Sequence, residues 1–408
     1  MFKNFSRNSK VLFFIYLGLI ALFSIYSFGL TTPNLILINS SWFSSFQFWM
    51  WKIFFNNRKQ ASAIYAIFIT IFCILYILLI KSLSKDKPVS IKQQILLIVL
   101  ISLPLLISSN MLSNDVFNYI FNSRMILKYQ ANPYLKTALD FPFDDWTRFM
   151  HNIHTPAPYG YGWTGLSLLP YFFGAEKFLL TWINYRFFSL ISLVVSSIAI
   201  SKLYSVVNNK KMNLYTWAIF FFNPLVLIEV LNNFHNDLWM MAPAVTSIAL
   251  LLNKKRNLTR PIFLLIFSIS IKYATLALLP IFIIIILSRL KALQNNNLLK
   301  MIVKFTPEIS SILMFLPLLT SRSQQFHPWY LLWALIWIPA TKIKVLKTIL
   351  MTFSITSLFR YIPWMLNNGY SQEILIQQKM ITWLAIPLSL LLYFFLMNIK
   401  NDSNVKTK

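Results

Sequence analysis

The stretch ASAIYAIFITIFCILYILLI, residues 61–80, decides the fold class because it is predominantly apolar and contains no charged side chain. A helix of about 20 such residues is long enough to cross a hydrocarbon core of about 30 Å. Lipid offers no partner to backbone N–H and C=O groups, so a crossing segment pairs them internally as a helix. Lys81, Lys85 and Lys87 follow closely, which indicates a cytoplasmic end under the positive-inside rule. Residues 61–80 are therefore predicted to form a transmembrane helix.

Similar apolar runs recur along the whole chain. Of its 408 residues, 57% are hydrophobic and 12% are charged, which leaves too few polar groups to cover a soluble protein. The single cysteine, Cys73, has no intrachain partner, so a disulfide framework is excluded. We predict an all-α, polytopic membrane protein of about 12 transmembrane helices, with residues 1–408 forming one integral membrane domain.

The positions of the basic loops give these helices an orientation. Segment 31–60 contains three tryptophans and is interpreted as an interfacial helix, and 166–173 as a re-entrant or interfacial segment. Both termini are predicted to be cytoplasmic. The crossings are placed at about 11–30, 61–80, 93–109, 183–203, 214–230 and 238–252, at two short segments within 261–288, and at 302–319, 328–340, 345–364 and 379–397.

The formal net charge of +26 raises the question of nucleic-acid binding. The basic residues lie in short loops between apolar runs and do not form a basic face interleaved with aromatic residues. Such a distribution is typical of cytoplasmic loops in membrane proteins. We expect membrane lipid, and no nucleic acid, as a partner.

Polar chemistry is concentrated in the longest outer loop, 110–182, and at the outer ends of later predicted helices. The loop begins with the sequence SNDVFNY at 113–119 and contains NPY at 132–134 and TPAPYG at 155–160. Ionisable groups within a membrane protein are costly unless they pair or line a cavity, so their grouping on one side indicates a site. The candidate site residues are Asp115, Tyr119, Arg124, Tyr134, His154, Tyr159, His235, Asn236, Asp237, Lys272, Arg322, His327, Trp329 and Tyr330.

Several of these residues also have a purely structural interpretation. Asp115 could cap the helix that follows it, since aspartate is a favoured N-cap. Residues 235–237 could form a polar turn, although Glu229 lies at the same predicted boundary. Lys272 could extend its ammonium group to the membrane surface. The sequence HPWY at 327–330 could be an aromatic belt with a proline at the start of a helix.

Together these residue types suit glycosyl transfer from a lipid-phosphate sugar. A carboxylate can take the proton of an acceptor hydroxyl as its oxygen attacks the anomeric carbon. Cations can stabilise the charge that develops on the departing phosphate. There is no glycine-rich nucleotide loop, in agreement with a donor that arrives in the membrane. There is also no tight metal-ligand spacing such as H-x-x-x-H, so we predict no metal and no cofactor, although the histidines and carboxylates are numerous enough for a divalent ion.

The chain resembles the class C glycosyltransferases, and in particular the bacterial polyprenol-phosphate-mannose-dependent α-1,6-mannosyltransferase family. The resemblance rests on the blocks already quoted from the loop and on NPLVLIE at 223–229, HND at 235–237, SIKY at 270–273 and HPWYLL at 327–332. It implies the class C fold, a bacterial plasma membrane location with the site on the outer face, a polyprenyl-phosphate mannose donor and transfer with inversion to a glycan or lipid-linked acceptor.

The resemblance also implies roles for individual residues. Asp115 corresponds to the catalytic base, residues 235–237 border the sugar or acceptor, and Lys272 meets the donor phosphate. The family usually continues P-Y-G-P, whereas here Tyr159 and Gly160 are followed by the sequence YGW at 161–163. This departure leaves the loop geometry and the acceptor open.

Two other functional classes also fit a polytopic membrane protein with an outward-facing polar site. A flippase or transporter of lipid-linked glycans would place polar residues near the bilayer middle and repeat them in two halves. A polyprenyl-linked polysaccharide polymerase or ligase would carry its recognition elements in a large late loop. Here the polar residues lie at predicted outer ends, and the longest outer loop comes early.

Overall fold

The structure is a computed structural model, and it describes residues 2, 4–32, 38–253, 257–320, 326–367, 369 and 371–405, with the side chains of 319 and of 392–405 excepted. The described residues contain helices and no strand, and a single isolated bridge joins Pro88 to Asn213. The all-α prediction is confirmed. The helices are α1 (Arg7–Ser27), α2 (Ser41–Met50), α3 (Arg58–Ser82), α4 (Ile91–Leu106), α5 (Asp115–Leu127), α6 (Tyr161–Phe172), α7 (Phe178–Asn208), α8 (Leu214–Phe221), α9 (Pro224–Val226), α10 (Asp237–Leu252), α11 (Thr259–Ile271), α12 (Leu279–Leu287), α13 (Asn297–Lys304), α14 (Thr306–Leu313), α15 (Leu332–Leu335), α16 (Lys344–Thr356), α17 (Tyr361–Asn367) and α18 (Gln372–Val405).

Five helical segments of the described chain are long and apolar enough to cross a membrane, or up to seven if each of two bent pairs counts as one crossing. The long segments are Arg7–Leu30, Arg58–Ser82, Phe178–Asn208, Lys344–Asn367 and Gln372–Leu391. The two bent pairs are α8 with Pro224–Asn232, at 48°, and α13 with Thr306–Leu318, at 71°. Four further apolar helices, within 91–106, 237–252, 259–271 and 273–287, are shorter. The count of 12 crossings therefore stays a prediction.

The basic loops and the polar site segments lie at opposite ends of the bundle. Near its start, α1 contacts the end of α3, because the Ser9 hydroxyl donates to the carbonyl of Ser82 at 2.7 Å. In the same region the backbone N–H of Val89 donates to the carbonyl of Met212 at 3.0 Å. The lysine-bearing loops between α3 and α4 and between α7 and α8 therefore meet at one end.

At the other end, α1, α4 and α7 converge on the segment that precedes Asp115. The hydroxyl of Ser27, at the end of α1, accepts from the backbone of Ser109 at 2.7 Å. Arg186, in the first half of α7, is buried and donates to the carbonyls of Leu105 and Leu231 at 2.7 and 3.1 Å. This guanidinium joins the end of α4 to the chain just before His235, so that it holds two site segments together.

Helix α10 forms the centre of the bundle and begins at the site. It packs along α7 on one side and α11 on another, and its side chains are buried almost all round. Helix α11 runs back towards the site and ends at Ile271, and a new 3-10 segment begins at Tyr273. The prediction that two short segments meet near Lys272 is confirmed. Lys272 itself is in extended conformation between them, with φ −145° and ψ 132°.

The predicted interfacial segments are short helices. Helix α2 begins at Ser41 after an N-cap serine and continues into a π-helical turn over Trp51–Phe55. Trp42, Phe48 and Trp49 are exposed along it, as expected for a helix with an apolar face directed at the interface. Helix α6, of 12 residues, follows the long loop and packs on α5, α7 and α11.

Candidate active site

Asp115 is the first residue of α5, and Asn114 occupies the N-cap position. A carboxylate in the first turn is favoured by the free backbone N–H groups at a helix N-terminus. One of its oxygens, Oδ2, accepts a hydrogen bond from the hydroxyl of Tyr159 at 3.2 Å. The Asp115 side chain is 25% exposed, whereas the other ionisable side chains grouped near it are nearly or completely buried. It is therefore the carboxylate of this group that a ligand can reach.

A broken helix supplies the groups that face Asp115. After Pro224 the chain forms a π-helical turn over Leu227–Asn232, a rare geometry that is common at functional sites. Phe234 then has φ 66°, in the left-handed region that non-glycine residues seldom occupy. This reversal places the buried His235 ring between two carboxylates. Its Nδ1 is 3.7 Å from Asp115 Oδ2, and its Nε2 is 3.4 Å from Glu229 Oε2.

Asp115, His235 and Glu229 form a row, and Asp237 and Lys272 form an ion pair next to it. The Lys272 Nζ donates to Asp237 Oδ1 at 2.8 Å, and the indole N–H of Trp333 donates to the same oxygen. Asp237 is fully buried and Lys272 is 15% exposed. The ammonium also lies 5.7 Å from the centre of the Tyr159 ring. An ammonium has three N–H donors, so the pair leaves Lys272 with further donors for an anion.

The loop that carries Tyr159 is fixed to the end of α11 by close backbone packing. The N–H of Gly160 donates to the carbonyl of Ile271 at 3.0 Å. A Cβ added at Gly160 would lie 2.0 Å from the Ser270 carbonyl oxygen, and one at Gly162 would lie 2.1 Å from the Ser270 hydroxyl. The two glycines of the sequence YGYG therefore let the loop contact α11 closely. Residues 161–163, where the sequence differs from the P-Y-G-P pattern, lie at this contact.

An aromatic stack closes one side of the site. The rings of His235 and Trp329 are parallel, with centroids 3.7 Å apart, and His327 lies on Trp329 at 4.3 Å. Trp329 is thus stacked with two imidazoles. Tyr330 packs on Trp333 at 4.7 Å, which connects the stack to the Asp237 pair.

Burial and neighbouring charges shift the pKa values of the groups in this site. Burial raises the pKa of the Asp115 carboxyl, and the Asp237 carboxylate adds to this, whereas Lys272 and the Tyr159 hydroxyl oppose it. Burial lowers the pKa of His235 well below its usual value, and the charge of Lys272 adds to the effect. Burial also lowers the pKa of His327 to about 3. Both imidazoles are therefore neutral at physiological pH.

The structure brings most of the sequence-predicted residues together, but not all of them. Tyr119 is buried and its ring contacts that of Tyr159 at 5.0 Å. Asn236 is buried beside His235, and within the described part of the chain its side-chain nitrogen and oxygen have no hydrogen-bond partner. The residues that meet at the site are Asp115, Tyr119, Tyr159, His235, Asn236, Asp237, Lys272, His327, Trp329 and Tyr330.

Four predicted residues are placed elsewhere or lie outside the described chain. Arg124 forms a buried ion pair with Asp144 at 2.5 Å, nine residues along α5 from Asp115. The Tyr134 hydroxyl is hydrogen-bonded to that of Thr164 at 2.6 Å. His154 is exposed in the loop, and Arg322 is not among the described residues. The predictions of substrate contact for these four remain untested.

Some neighbours of the site were not among the candidate residues. Glu229 accepts from the Tyr361 hydroxyl at 2.8 Å and from the Asn233 amide at 2.9 Å. Trp333 contacts Asp237. His151 lies beside Asn114, whose amide nitrogen is 2.8 Å from its Nε2. The sequence indicated Glu229 by its position near the boundary, but Tyr361 and Trp333 carry no local signal because their contacts are long-range.

The arrangement can support proton abstraction next to an anion. It combines a carboxylate that a ligand can reach, the Lys272 ammonium at 5.7 Å from the centre of the Tyr159 ring, and two neutral imidazoles. Among the described residues, no three His, Cys, Asp or Glu side chains are arranged to hold a metal ion. The prediction of no metal and no cofactor remains untested.

A family model described as alpha-(1->6)-mannopyranosyltransferase, N-terminal domain, matches residues 15–288. This range contains Asp115, Tyr159, Glu229, His235 and Lys272, and it ends before the 327–330 stack. No curated protein and no solved structure matches the chain.

Proposed function

The chain belongs to the alpha-(1->6)-mannopyranosyltransferase family, and from this premise we propose that it transfers mannose from a polyprenyl-phosphate donor to a glycan or lipid-linked acceptor, with inversion, on the non-cytoplasmic face. Family membership supports a glycosyltransferase activity. The donor class, the stereochemistry and the side of the membrane are our proposal.

The observation that carries this proposal is the contrast between Asp115 and its surroundings. Its carboxylate is partly exposed, while Asp237, Glu229 and His235 behind it are buried. Burying a polar group costs free energy unless the group is hydrogen-bonded or paired. A cluster of buried ionisable groups is therefore typical of a functional site. The polar cluster therefore supports Asp115 as the group that meets the acceptor.

The proposed reaction uses the groups on the two sides of this opening. The acceptor hydroxyl oxygen attacks C1 of the mannosyl unit, its proton passes to an Asp115 oxygen, and the bond from C1 to the phosphate oxygen breaks. The departing phosphate keeps the electron pair of that bond. Attack on the face opposite the phosphate inverts the configuration at C1. Lys272, anchored by Asp237, is the cation placed to stabilise the phosphate.

The presence of neutral histidines fits this assignment of roles. An imidazolium beside Asp115 would lower the pKa of the carboxyl and weaken it as a base. Burial keeps both His235 and His327 neutral, so the positive charge near the donor phosphate comes from Lys272. Asp115 in turn has a raised pKa, and a raised pKa makes a carboxylate a stronger base.

The test is transfer of labelled mannose from polyprenyl-phosphate mannose by the purified protein in proteoliposomes. We expect Asp115→Asn to lower transfer by about a hundredfold or more, the range typical of a lost general base, with no change in folding. Asp140→Asn is the matched control, because Asp140 is a loop carboxylate that pairs with Lys136 in solvent. Its activity is expected to equal that of the unmodified protein.

Two results would contradict the proposal in different ways. Full activity of the Asp115→Asn variant would remove Asp115 as the base. Movement of a lipid-linked glycan across the membrane without any sugar transfer would instead identify a transporter. A panel of polyprenyl-phosphate hexoses, with the product analysed by mass spectrometry, tests the donated sugar and the acceptor.

A further inference from the structure

The imidazole of His235 has an unusual position for a buried side chain. Each of its two ring nitrogens faces a carboxylate oxygen, Asp115 on one side and Glu229 on the other. Neither nitrogen has a hydrogen-bond partner among the described residues, although the ring is buried. Buried polar atoms are nearly always satisfied, and an exception calls for an explanation in function.

Glu229 is held firmly on the far side of this ring. Its two oxygens accept from different donors, Oε1 from the Tyr361 hydroxyl at 2.8 Å and Oε2 from the Asn233 amide at 2.9 Å. The His235 ring is fixed in turn by the Trp329 face at 3.7 Å, and the backbone N–H of His235 donates to the Glu229 carbonyl at 3.0 Å. Carboxylate and imidazole are therefore oriented towards each other by packing on both sides.

We propose that Glu229 and His235 are positioning residues that set the basicity of Asp115. Glu229 favours the tautomer of His235 in which Nε2 carries the hydrogen. Nδ1 then presents a lone pair to Asp115 Oδ2. This inference rests on the proposed function, because it assigns a role relative to the proton that Asp115 receives.

Each proton in this step can be assigned to one of three groups, Asp115, His235 or Glu229. Before transfer, Asp115 is ionised and faces a lone pair of the imidazole, which disfavours the carboxylate. When Asp115 takes the proton of the acceptor hydroxyl, its new O–H can donate to Nδ1, and Nε2–H still points at Glu229. His235 stays neutral throughout, and the acceptor's proton stays on Asp115. Hydrogen bonds need about 2.7–3.2 Å, so the observed 3.4 and 3.7 Å must shorten by less than 1 Å in the substrate complex.

Other titratable groups face the same row and belong to any account of its pH dependence. Asp115 is also faced by Tyr119 and Tyr159 and by the Asp237–Lys272 pair. Glu229 is faced by Tyr361, Tyr65 and Asp237, and His235 by Lys272 and His327. The experiment keeps all of these unchanged.

The test compares pH–rate profiles of mannose transfer. Asp115 must be ionised to act as a base, so the rate falls as the pH drops through the pKa of Asp115. Glu229→Gln weakens the acceptor for Nε2–H, so the imidazole hydrogen can move to Nδ1, where it favours ionised Asp115. We expect the acidic limb to move to lower pH and kcat to fall about tenfold, while KM for the donor is unchanged.

A double-mutant cycle separates the role of His235 from a through-space effect of charge. In a His235→Asn background the imidazole link is absent, so Glu229→Gln is expected to cause no further change in kcat or in the acidic limb. An equal shift in both backgrounds would show that Glu229 acts by its charge alone and would overturn the proposal. An unchanged profile of the single variant would overturn it as well.

Two further variants control for misfolding and for the general effect of replacing a buried carboxylate. Glu229→Asp keeps a carboxyl group but withdraws it from Nε2, and we expect it to lose kcat as Glu229→Gln does; full activity would contradict the proposal even if the Gln variant failed to fold. Glu308→Gln is the matched control, since Glu308 is another buried carboxylate, bound to the backbone of Lys342. If Asp115→Asn were fully active, the proposed function itself would fail, which is a distinct outcome.

Discussion

In the proposed reaction, single side chains around Asp115 set how readily its carboxylate takes a proton. Tyr159 donates to Asp115 Oδ2 and thereby stabilises the ionised carboxylate, whereas burial and the Asp237 carboxylate oppose ionisation. Asp115 thus receives two opposing influences from elements far apart in sequence. The pKa of Asp115 depends on the balance between these influences, and removing a single atom can change it.

Replacing Tyr159 by Phe removes a hydrogen bond to the ionised form of Asp115 and nothing else from its ring. The pKa of Asp115 is expected to rise, because the interaction that lowered it is lost. Since the base must be ionised, the acidic limb of the pH–rate profile should move to higher pH, by up to about one pH unit. Transfer assays across pH with this variant check the sign, which is opposite to that expected for Glu229→Gln.

Tyr134→Phe is the control for this prediction. The Tyr134 hydroxyl also forms one hydrogen bond in the same loop region, but its partner is Thr164 rather than a carboxylate. Its pH profile should match that of the unmodified protein. A limb that stayed in place in the Tyr159 variant, or moved equally in both, would show that Tyr159 does not act on Asp115.

At the scale of the element, the contact between α6 and α11 sets the position of the loop. Helix α6 begins at Tyr161, directly after Gly160, and Gly162 lies in its first turn against Ser270. Lys272 follows two residues after Ser270, so the same contact sets the distance between the Tyr159 ring and the ammonium group. A change in this packing should therefore affect catalysis without a change in any titratable group.

Gly162→Ala is predicted to push α6 away from α11, because its Cβ would lie 2.1 Å from the Ser270 hydroxyl and 2.9 Å from the Ser270 carbonyl carbon. We expect kcat to fall about tenfold or more through displacement of Tyr159 and the loop. Transfer assays and thermal unfolding in detergent measure the two consequences.

Gly165→Ala in the same helix provides the matched control. No atom of the described residues lies within 4 Å of a Cβ at this position, and alanine is the better helix former by about 0.5–1 kcal/mol. This variant should keep full activity and unfold at the same or a slightly higher temperature. Equal losses in both variants would show that α6 tolerates no substitution and that the Ser270 contact has no special role.

The elements themselves were largely predictable, and their interruptions were not. Apolar runs predict helices because lipid leaves the backbone no alternative, and the break at Lys272 follows from an ammonium group between two apolar segments. The π-helical turn before His235 has no such signal. Its contacts are tertiary: Arg186 donates to the carbonyls of Leu231 and Ser108, and the Asn232 amide donates to the Ser108 hydroxyl.

At the scale of the whole molecule, the site is assembled from segments that only the complete bundle brings together. Glu229 and Tyr361 are 132 residues apart in the sequence, and Asp237 and Trp333 are 96 apart. The sequence shows which polar residues are costly to bury in a membrane protein. It could not predict which of them pair, because apolar helices of similar composition can pack in many ways. The pairing of Arg124 with Asp144 is one contact that the sequence does not show.

The arrangement of the two ends of the bundle leads to a prediction about orientation. The contacts of Ser9 with Ser82 and of Val89 with Met212 gather the lysine-bearing loops at one end, while Ser27 and Ser109 meet at the other, next to Asp115. The positive-inside rule assigns the lysine-bearing end to the cytoplasm. The polar site then faces the non-cytoplasmic side, where a polyprenyl-phosphate sugar would be used.

Single cysteines introduced at opposite ends of the bundle test this orientation in a Cys73→Ser background. Phe143 is 99% exposed in the 110–182 loop, and Lys87 is exposed between α3 and α4. In right-side-out vesicles, a membrane-impermeant maleimide should label Phe143→Cys at once and Lys87→Cys only after permeabilisation. The reverse pattern would place the site in the cytoplasm. Such a result would leave the geometry at Asp115 intact but would exclude a donor presented at the outer face, so it would overturn the proposed topology without affecting the assignment of the base.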